Sequence, residues 1–599
     1  MIYSHHLRTA LFAIAFVLLM IQLPVWAYVP VYTGMAILYA LAIALIMNRW
    51  RFVINGYTIF AFLMMVWLII NTALSEIPYE SIKQVTLTIF FPLLIMAFAG
   101  SEDKHPINIQ FLWKALAMGG VGIALYAIYQ FYSNTGKFIN IANYPFYNPN
   151  SLGVFLGITG TVLFHFLLEA HTITRKVALS FAVLVVCAGI VSADAKAAVI
   201  GFIVVMFFSI AIRGLTQKIN IGFLSAILVV FLTLPVLMVQ IAPNPDDQTS
   251  QHNNIYQTGV DFKRLSIWQS AAETALSERP ITGTGLGTYK NVYMPYRSDQ
   301  DFTAGLHAHN DLLHLWVETG LIGVAIIMIF AGAVIYSFVK RRPEDSMSLS
   351  ILLFCGGMAM VTPIVLLPPI MLLILLAILP LCQKISLKEI SGAAPVQIIT
   401  MVAVFGLLFA GMNGWVAYHA HKIRLSLNID ALDQMLYHVD RLDRASLNLH
   451  PSAPIYRVSM MLALINQGVV EPDQKDQAID EMQRYISEAN RRNPHNPENL
   501  FYKGMIMEQQ GDVQQAAALW RQALTLDPSY LSARTKLMQH YQNDQNRLLE
   551  LIEGGLPIRY WKQDPMQFYA IGLVFAAETN NTELHNWIRA LMQRRMQLR

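Results

Sequence analysis

Residues 346–383 read SMSLSILLFCGGMAMVTPIVLLPPIMLLILLAILPLCQ, without one charged side chain. A helix crosses a hydrocarbon layer of ~30 Å with about 20 residues, so a single crossing would leave this run far too long. Pro363, Pro368 and Pro369 interrupt it near the middle, where each removes a backbone donor and crowds the preceding turn. The stretch therefore predicts two short spans hinged at the prolines, 347–362 and 364–382, in place of one tilted helix.

Working outward, the same reading predicts spans near 7–23, 30–48, 55–74, 82–99, 111–132, 151–170, 177–193, 196–213, 219–241, 312–339 and 396–417, thirteen in all. Of 599 residues 55% are hydrophobic and 13% charged, against roughly 25% charged in soluble domains. The expected fold class is all-α: a polytopic membrane helix bundle of about 13 spans. Residues 1–241 form a membrane region of about nine spans, 242–311 a soluble loop, 312–417 about four more spans, and 418–599 a soluble helical domain. Arg8 at the start of residues 7–23 and Val25-Trp26-Ala27 after them imitate a cleavable leader, but the length and the apolar run that follows favour an uncleaved first span.

Orientation follows from Lys and Arg in short loops. Arg8, Arg49, Arg51, Lys104, Arg175, Lys176, Arg213, Lys218, Lys340, Arg341, Arg342, Lys384 and Lys388 fall on one side, which is then the cytoplasm. An odd number of spans puts 242–311 and the C-terminal domain in the periplasm of a bacterial inner-membrane protein. Within that domain Gly504, Gly511, Ala516, Trp520, Ala523 and Pro528 keep the offsets of a tetratricopeptide repeat, and a looser copy ends at Asn493-Pro494.

Several classes of function drop out. A net charge of +4 carries no nucleic-acid signal. Cys187, Cys355 and Cys382 lie in or beside apolar runs and suggest neither a disulfide framework nor a zinc site. Asp246-Asp247 is an adjacent pair without partners, so no metal and no cofactor are expected.

Ionisable residues at the ends of membrane helices are the informative ones, because their burial is costly. His307-Ala308-His309-Asn310-Asp311 lies where the long loop enters the span at 312–339, with Gly320-Leu321-Ile322-Gly323 following. Asn310 or Asp311 could cap that helix. Lys263-Arg264, with Trp268 one turn on, leads into Pro280-Ile281-Thr282-Gly283-Thr284-Gly285-Leu286-Gly287; no Gly-Lys-Ser/Thr follows, so the glycines read as a turn and not a P-loop. Ser192-Ala193-Asp194-Ala195-Lys196 makes a third polar point, and the loop 143–150, with Asn148 and Asn150, mixes amides with aromatics.

His-Asn, nine residues and Gly-x-x-Gly, together with Arg-x-x-x-Trp before Pro-x-x-Gly-x-Gly-x-Gly, resemble the signature of O-antigen ligases and bacterial O-oligosaccharyltransferases of the Wzy-C superfamily. The resemblance is firm from about residue 145 to 340 and covers the rest as helix count. It implies twelve or more membrane helices, a periplasmic catalytic loop, and en bloc transfer of a glycan from undecaprenyl diphosphate to an acceptor hydroxyl, inverting and metal-independent. Arg264 and His309 would be catalytic, the first on the diphosphate and the second as base. Lys196, Lys263, Trp268, Asn148, Asn150, His307, Asn310 and Asp311 would contact substrate. Family members usually have an arginine where this chain has Lys196, which keeps the charge and loses the fork geometry. The acceptor would be a periplasmic, pilin-like protein, lipid A core or, in a polymerase, another repeat unit; membrane lipids are further partners. A helical-repeat domain favours a protein acceptor. The reading of another class, a transporter or scaffold, wants polar residues at mid-membrane and paired broken helices, whereas here the ionisable groups gather at helix ends.

Overall fold

The structure, a computed structural model, describes residues 5–20, 28–47, 51–101, 106–133, 141–146, 148–214, 262–298, 301, 303, 305–341, 346–364, 366–382, 388–390, 393–425, 432–558 and 565–597. The predicted span at 219–241, Asp246-Asp247 and the side chain of Lys263 lie outside what is described.

The protein is an all-α polytopic membrane protein. The first region runs α1 (His5–Met20), α2 (Tyr28–Met47), α3 (Gly56–Ala73), α4 (Pro78–Thr88), α5 (Phe90–Gly100), α6 (Ile109–Ser133), α7 (Pro149–Leu168), α8 (Ile173–Ser192) and α9 (Lys196–Gly214). The second region comprises α10 (Phe262–Ser277), α11 (Tyr289–Val292), α12 (Asp311–Arg341), α13 (Ser346–Ala359), α14 (Pro368–Cys382) and α15 (Ala393–Leu425). Among the described residues eight segments are long and apolar enough to cross a membrane, and α1, α9, α13 and α14 are shorter apolar helices at four further predicted spans. α7 is buried on nearly every side. Its His165 meets Ser209 of α9 at 3.1 Å and Ser350 of α13 at 3.0 Å, polar contacts that join helices which lipid alone would not drive together.

Three predicted spans differ in detail. The run 82–99 is two helices with a break at Ile89: Pro92 would crowd the carbonyl of Thr88 in a continuous helix, and restarting at Phe90 moves the proline into a first turn, where it is tolerated. α12 bends at Gly320, whose φ of 68° is left-handed. α15 continues past 417 to Leu425 without a linker. The apolar run 346–383 does divide in two, with residues 360–364, 366 and 367 non-helical between α13 and α14.

Sequence patterning foretells no strands, yet β1 (Phe52–Ile54) pairs antiparallel with β2 (Lys388–Ile390). This ribbon puts the α2–α3 and α14–α15 connections at one end of the bundle.

The remaining helices, α16 (Leu432–Ala445), α17 (Ser452–Asn466), α18 (Lys475–Arg492), α19 (Pro497–Gln509), α20 (Val513–Leu526), α21 (Leu531–His540), α22 (Gln545–Glu553), α23 (Met566–Glu578) and α24 (Thr582–Gln597), pack as successive hairpins. Gly504 has no side chain because the Trp520 indole occupies that space, and the Trp520 Nε1–H donates to the Phe501 carbonyl at 3.2 Å. This helical domain is joined to the membrane part by an apolar cluster that includes Tyr79, Val416, Ile423, Val439 and Leu442. Glu76 ties the joint further, bonding His495 at 2.7 Å and Arg279 at 2.8 Å.

Candidate active site

The site is built on the bend in α12. A left-handed residue at Gly320 takes the Leu321 and Ile322 N–H groups away from the Val317 and Glu318 carbonyls they would serve in a straight helix. The turn 280–285 supplies all four partners. Leu321 donates to Pro280 O at 3.0 Å and Ile322 to Ile281 O at 3.3 Å, while Thr284 donates to Val317 O and Gly285 to Glu318 O, each at 3.0 Å. A Cβ on Gly283 would collide with the Glu318 carbonyl oxygen, and one on Gly320 with that of Ile281. The two glycine motifs are thus halves of one joint. Asn71 of α3 clamps it: its amide donates to Thr282 O at 2.9 Å and Glu318 O at 3.0 Å, and its oxygen accepts from Leu286 N at 2.9 Å. Because the turn's N–H groups are committed to this joint, they do not form a phosphate cradle.

The joint sets the first turns of α12 against α10. Asn310 caps α12, accepting from Leu312 N at 3.1 Å and Leu313 N at 3.2 Å. Asp311 accepts from Ile364 N at 3.0 Å, and Arg264 donates to Val361 O at 2.9 Å. Both sites lie on the proline-rich break between α13 and α14, so this non-helical backbone finds partners inside the protein, as the bilayer interior demands.

His309 has a left-handed φ of 51°, which costs a non-glycine residue about 1–2 kcal/mol. Its Nδ1 is buried and has no hydrogen-bond partner among the described residues. Burial first, and then the nearby Arg264 guanidinium, push the imidazole down to about 4, so it is neutral and can accept a proton at pH 7. His307 is pushed lower, to about 3, by burial and by His314, His309 and Lys290. Its Nδ1 and the Trp268 Nε1 are likewise buried without a partner among the described residues.

Sequence reasoning missed the groups behind these. The Ala308 N–H points to His314 Nδ1 at 3.5 Å, which leaves the proton on Nε2 to reach Glu318 Oε1 at 3.2 Å. That oxygen also accepts from Tyr289 N at 3.1 Å. Lys290 pairs with Glu80 at 3.0 Å, and burial pushes its ammonium below the usual range although Glu80 pulls it back. Asp301 fixes the loop ahead of His307, holding Arg297 at 3.1 Å and Tyr293 at 3.2 Å. The available signal was Glu318, a carboxylate within a predicted membrane span.

Not every predicted residue gathers here. Arg264 and His309 come together. Lys196 is exposed at the first turn of α9, beside residues 141–146 through the Ala142 N to Ser192 O bond of 2.8 Å, and forms no ion pair among the described residues. Asn148 caps α7 by accepting from Asn150 N at 2.8 Å.

Residues 181–328 match the family model described as O-antigen ligase. A Rickettsia prowazekii protein named as a polysaccharide ligase is 25% identical over 285 residues, covering 46% of this chain and 66% of that one. A namesake from Rickettsia conorii is 26% identical over 270 residues, 43% and 61% of the two. The O-antigen ligase of Salmonella typhimurium is 29% identical over 101 residues, 14% and 25%. Through residues 181–328 the chain is similar to O-antigen ligases. The O-antigen ligase match contains Lys196, Arg264, Trp268, His309 and both glycine motifs, and it excludes Asn148 and α16–α24. The chain spans less than two thirds of the length of these relatives.

Proposed function

We propose that the protein transfers a glycan en bloc from undecaprenyl diphosphate to a periplasmic acceptor hydroxyl, inverting the anomeric centre without a metal. One observation carries this reading: a neutral His309 whose buried Nδ1 has no partner among the described residues, beside Arg264, at the entry to an apolar helix. Arg264 would hold the diphosphate and stabilise charge on the leaving group as the anomeric C–O bond breaks. His309 would take the proton of the attacking hydroxyl. An anionic donor beside Arg264 offsets the cation that depresses His309, so donor binding strengthens the base. Trp268 and His307 offer further polar atoms, with Lys196 and Lys263 as outer cations. Asn310 and Asp311 shape the mouth, and Asn148 and Asn150 act from the start of α7.

In this reading residues 1–241 and 312–417 are the membrane regions, 242–311 is a catalytic loop and 418–599 a tetratricopeptide-like domain, with both soluble parts in the periplasm of the inner-membrane protein. The β1–β2 pairing supports it, because loops at one end of the bundle must be separated by an even number of crossings. Counting 219–241 as one span and 346–382 as two gives ten crossings between them. Thr525 is exposed, so Thr525→Cys in a background lacking the native cysteines should react with an impermeant thiol reagent on spheroplasts. Protection there, with labelling restored by permeabilisation, would reverse the orientation.

A protein acceptor is favoured by the helical domain. Between α18, α19 and α20 lies a cavity of about 530 Å³ lined by Gln483, Asn490, Asn499, Lys503 and Gln515. The Asn499 Oδ1 is buried with no partner among the described residues, and amides at such a groove suit an extended peptide. The deciding experiment offers purified protein and lipid-linked glycan to a pilin-like protein, lipid A core or a second lipid-linked glycan. Sugar on the protein alone is the expected result. Transfer to lipid A core or glycan would make it a ligase of lipid acceptors or a polymerase, and none at all would sink the transferase reading. EDTA should leave the rate unchanged; inhibition reversed by a divalent ion would overturn the metal-free step.

A further inference from the structure

A second polar cavity, of about 200 Å³, lies between α2, α4 and α15 and is covered by His450 of the helical domain. It sits where α15 leaves the apolar part of its sequence. Trp415, 54% exposed, stacks on Tyr418 at 5.6 Å along that turn, the pattern of an interfacial aromatic belt.

The lining has an asymmetric chemistry. Lys83 and Arg424 are its cations, and Glu80, its carboxylate, is already held by Lys83 at 3.4 Å and Lys290 at 3.0 Å. His450, pushed down to about 4 chiefly by burial, is neutral at pH 7. Asn413 is 1% exposed. Its amide donates to Thr86 Oγ1 at 3.3 Å, while its Oδ1 is buried and without a hydrogen-bond partner among the described residues. Val416, Ala417 and Ala420 make an apolar wall along the same side of α15. An occupant that completes this lining needs an anion for Arg424 and Lys83, a hydroxyl donor for Asn413, and an apolar portion to lie along the wall. Basic pockets between membrane helices hold phospholipid head groups in this way.

We infer that this cavity is a site for one anionic glycerophospholipid, its phosphodiester on Arg424 and Lys83 and a head-group hydroxyl on Asn413. The site is separate from the proposed transfer chemistry, and the inference does not rest on that reading. The lipid would bridge the membrane helices and the helical domain through His450, one ion pair (Glu80–Lys290) from the mouth.

The full chain, purified in mild detergent, would be titrated with phosphatidylglycerol or phosphatidylcholine and weighed intact by native mass spectrometry. One phosphatidylglycerol should be retained in preference to phosphatidylcholine. Arg424 is exposed, so Arg424→Gln leaves packing unchanged, and it should weaken retention roughly tenfold, as losing a charge-assisted contact does. Asn413→Leu, which removes the acceptor for the head-group hydroxyl, should weaken it as well. Equal retention of the two lipids, or undiminished retention by Arg424→Gln, would overturn the site. Displacement of the lipid by millimolar glycerol 3-phosphate or inorganic phosphate would show that a soluble phosphate is the occupant and would also overturn it.

Discussion

Two arginines show how differently the protein treats charge in its two halves. Arg492 of α18 is held through both Nη groups, by Asp443 at 2.6 Å, Glu488 at 2.8 Å and the His450 carbonyl at 2.9 Å, with Arg457 bound to the same Asp443 at 2.9 Å, and its Nε alone is buried without a partner among the described residues. Arg264 in the mouth donates to the neutral carbonyl of Val361. Around it Trp268 Nε1, His307 Nδ1 and His309 Nδ1 are buried without partners among the described residues. An unsatisfied buried polar atom costs about 1–3 kcal/mol. Arg492 leaves one such atom and meets its other donors with carboxylates and a carbonyl, whereas the mouth gathers three of them around one arginine, the pattern of a site that receives a ligand.

The largest effect expected from breaking that contrast is at His309. His309→Ala should reduce transfer by ~10²–10⁴-fold, the range for a lost general base, with the melting temperature held or raised because the substitution removes a buried Nδ1 that has no partner among the described residues. His307→Ala should cost much less. Near wild-type transfer by the His309 variant would show that the base lies elsewhere.

Next comes the closed network. Asp443→Ala removes the carboxylate shared by Arg492 and Arg457 and should destabilise the helical domain by about 3–5 kcal/mol, measured by urea unfolding, while a small soluble acceptor is still glycosylated in the cold. An unchanged unfolding midpoint would mean that the two networks are not different in kind.

Arg264→Lys tests geometry at constant charge. Loss of the forked grip should lower kcat/KM by about tenfold to a hundredfold, whereas Lys196→Arg should match or exceed the wild type. A dead Lys196→Arg protein would remove Lys196 from any diphosphate role.

The smallest effect concerns pH. A base acts deprotonated, so activity is lost as pH falls through its folded pKa; with His309 pushed down to about 4, kcat/KM should vary less than about twofold between pH 5.5 and 8. A falling limb centred near 6.5 would place the base in water instead of in this mouth.

Much of this architecture can be read without coordinates, for a physical reason. Apolar runs of membrane length have few alternatives, so α2, α3, α6, α7 and α8 fall where hydropathy predicts. The exceptions turn on single residues. The break at Ile89 is written in Pro92, whereas the bend at Gly320 is not told apart in sequence from a small residue at a helix contact, because a glycine serves both purposes. At the site, Arg264 and His309 stand out by type. Glu318, His314 and Asn71 do not, since their roles come from what the bend exposes: a side chain bonding carbonyls freed 247 positions away leaves no local pattern.

The bonds from Arg264 and Asp311 to the break between α13 and α14 also set an order of assembly. Ribosomes deliver residues 262–311 before 346–382, so the receiving side chains are already made when the two short helices arrive. Until Val361 and Ile364 dock, their backbone groups would have to remain wet or buried against a translocon wall. A chain split and synthesised in reverse order would lack that receiver, and its prolines would insert as a misplaced hairpin before the mouth existed to correct it.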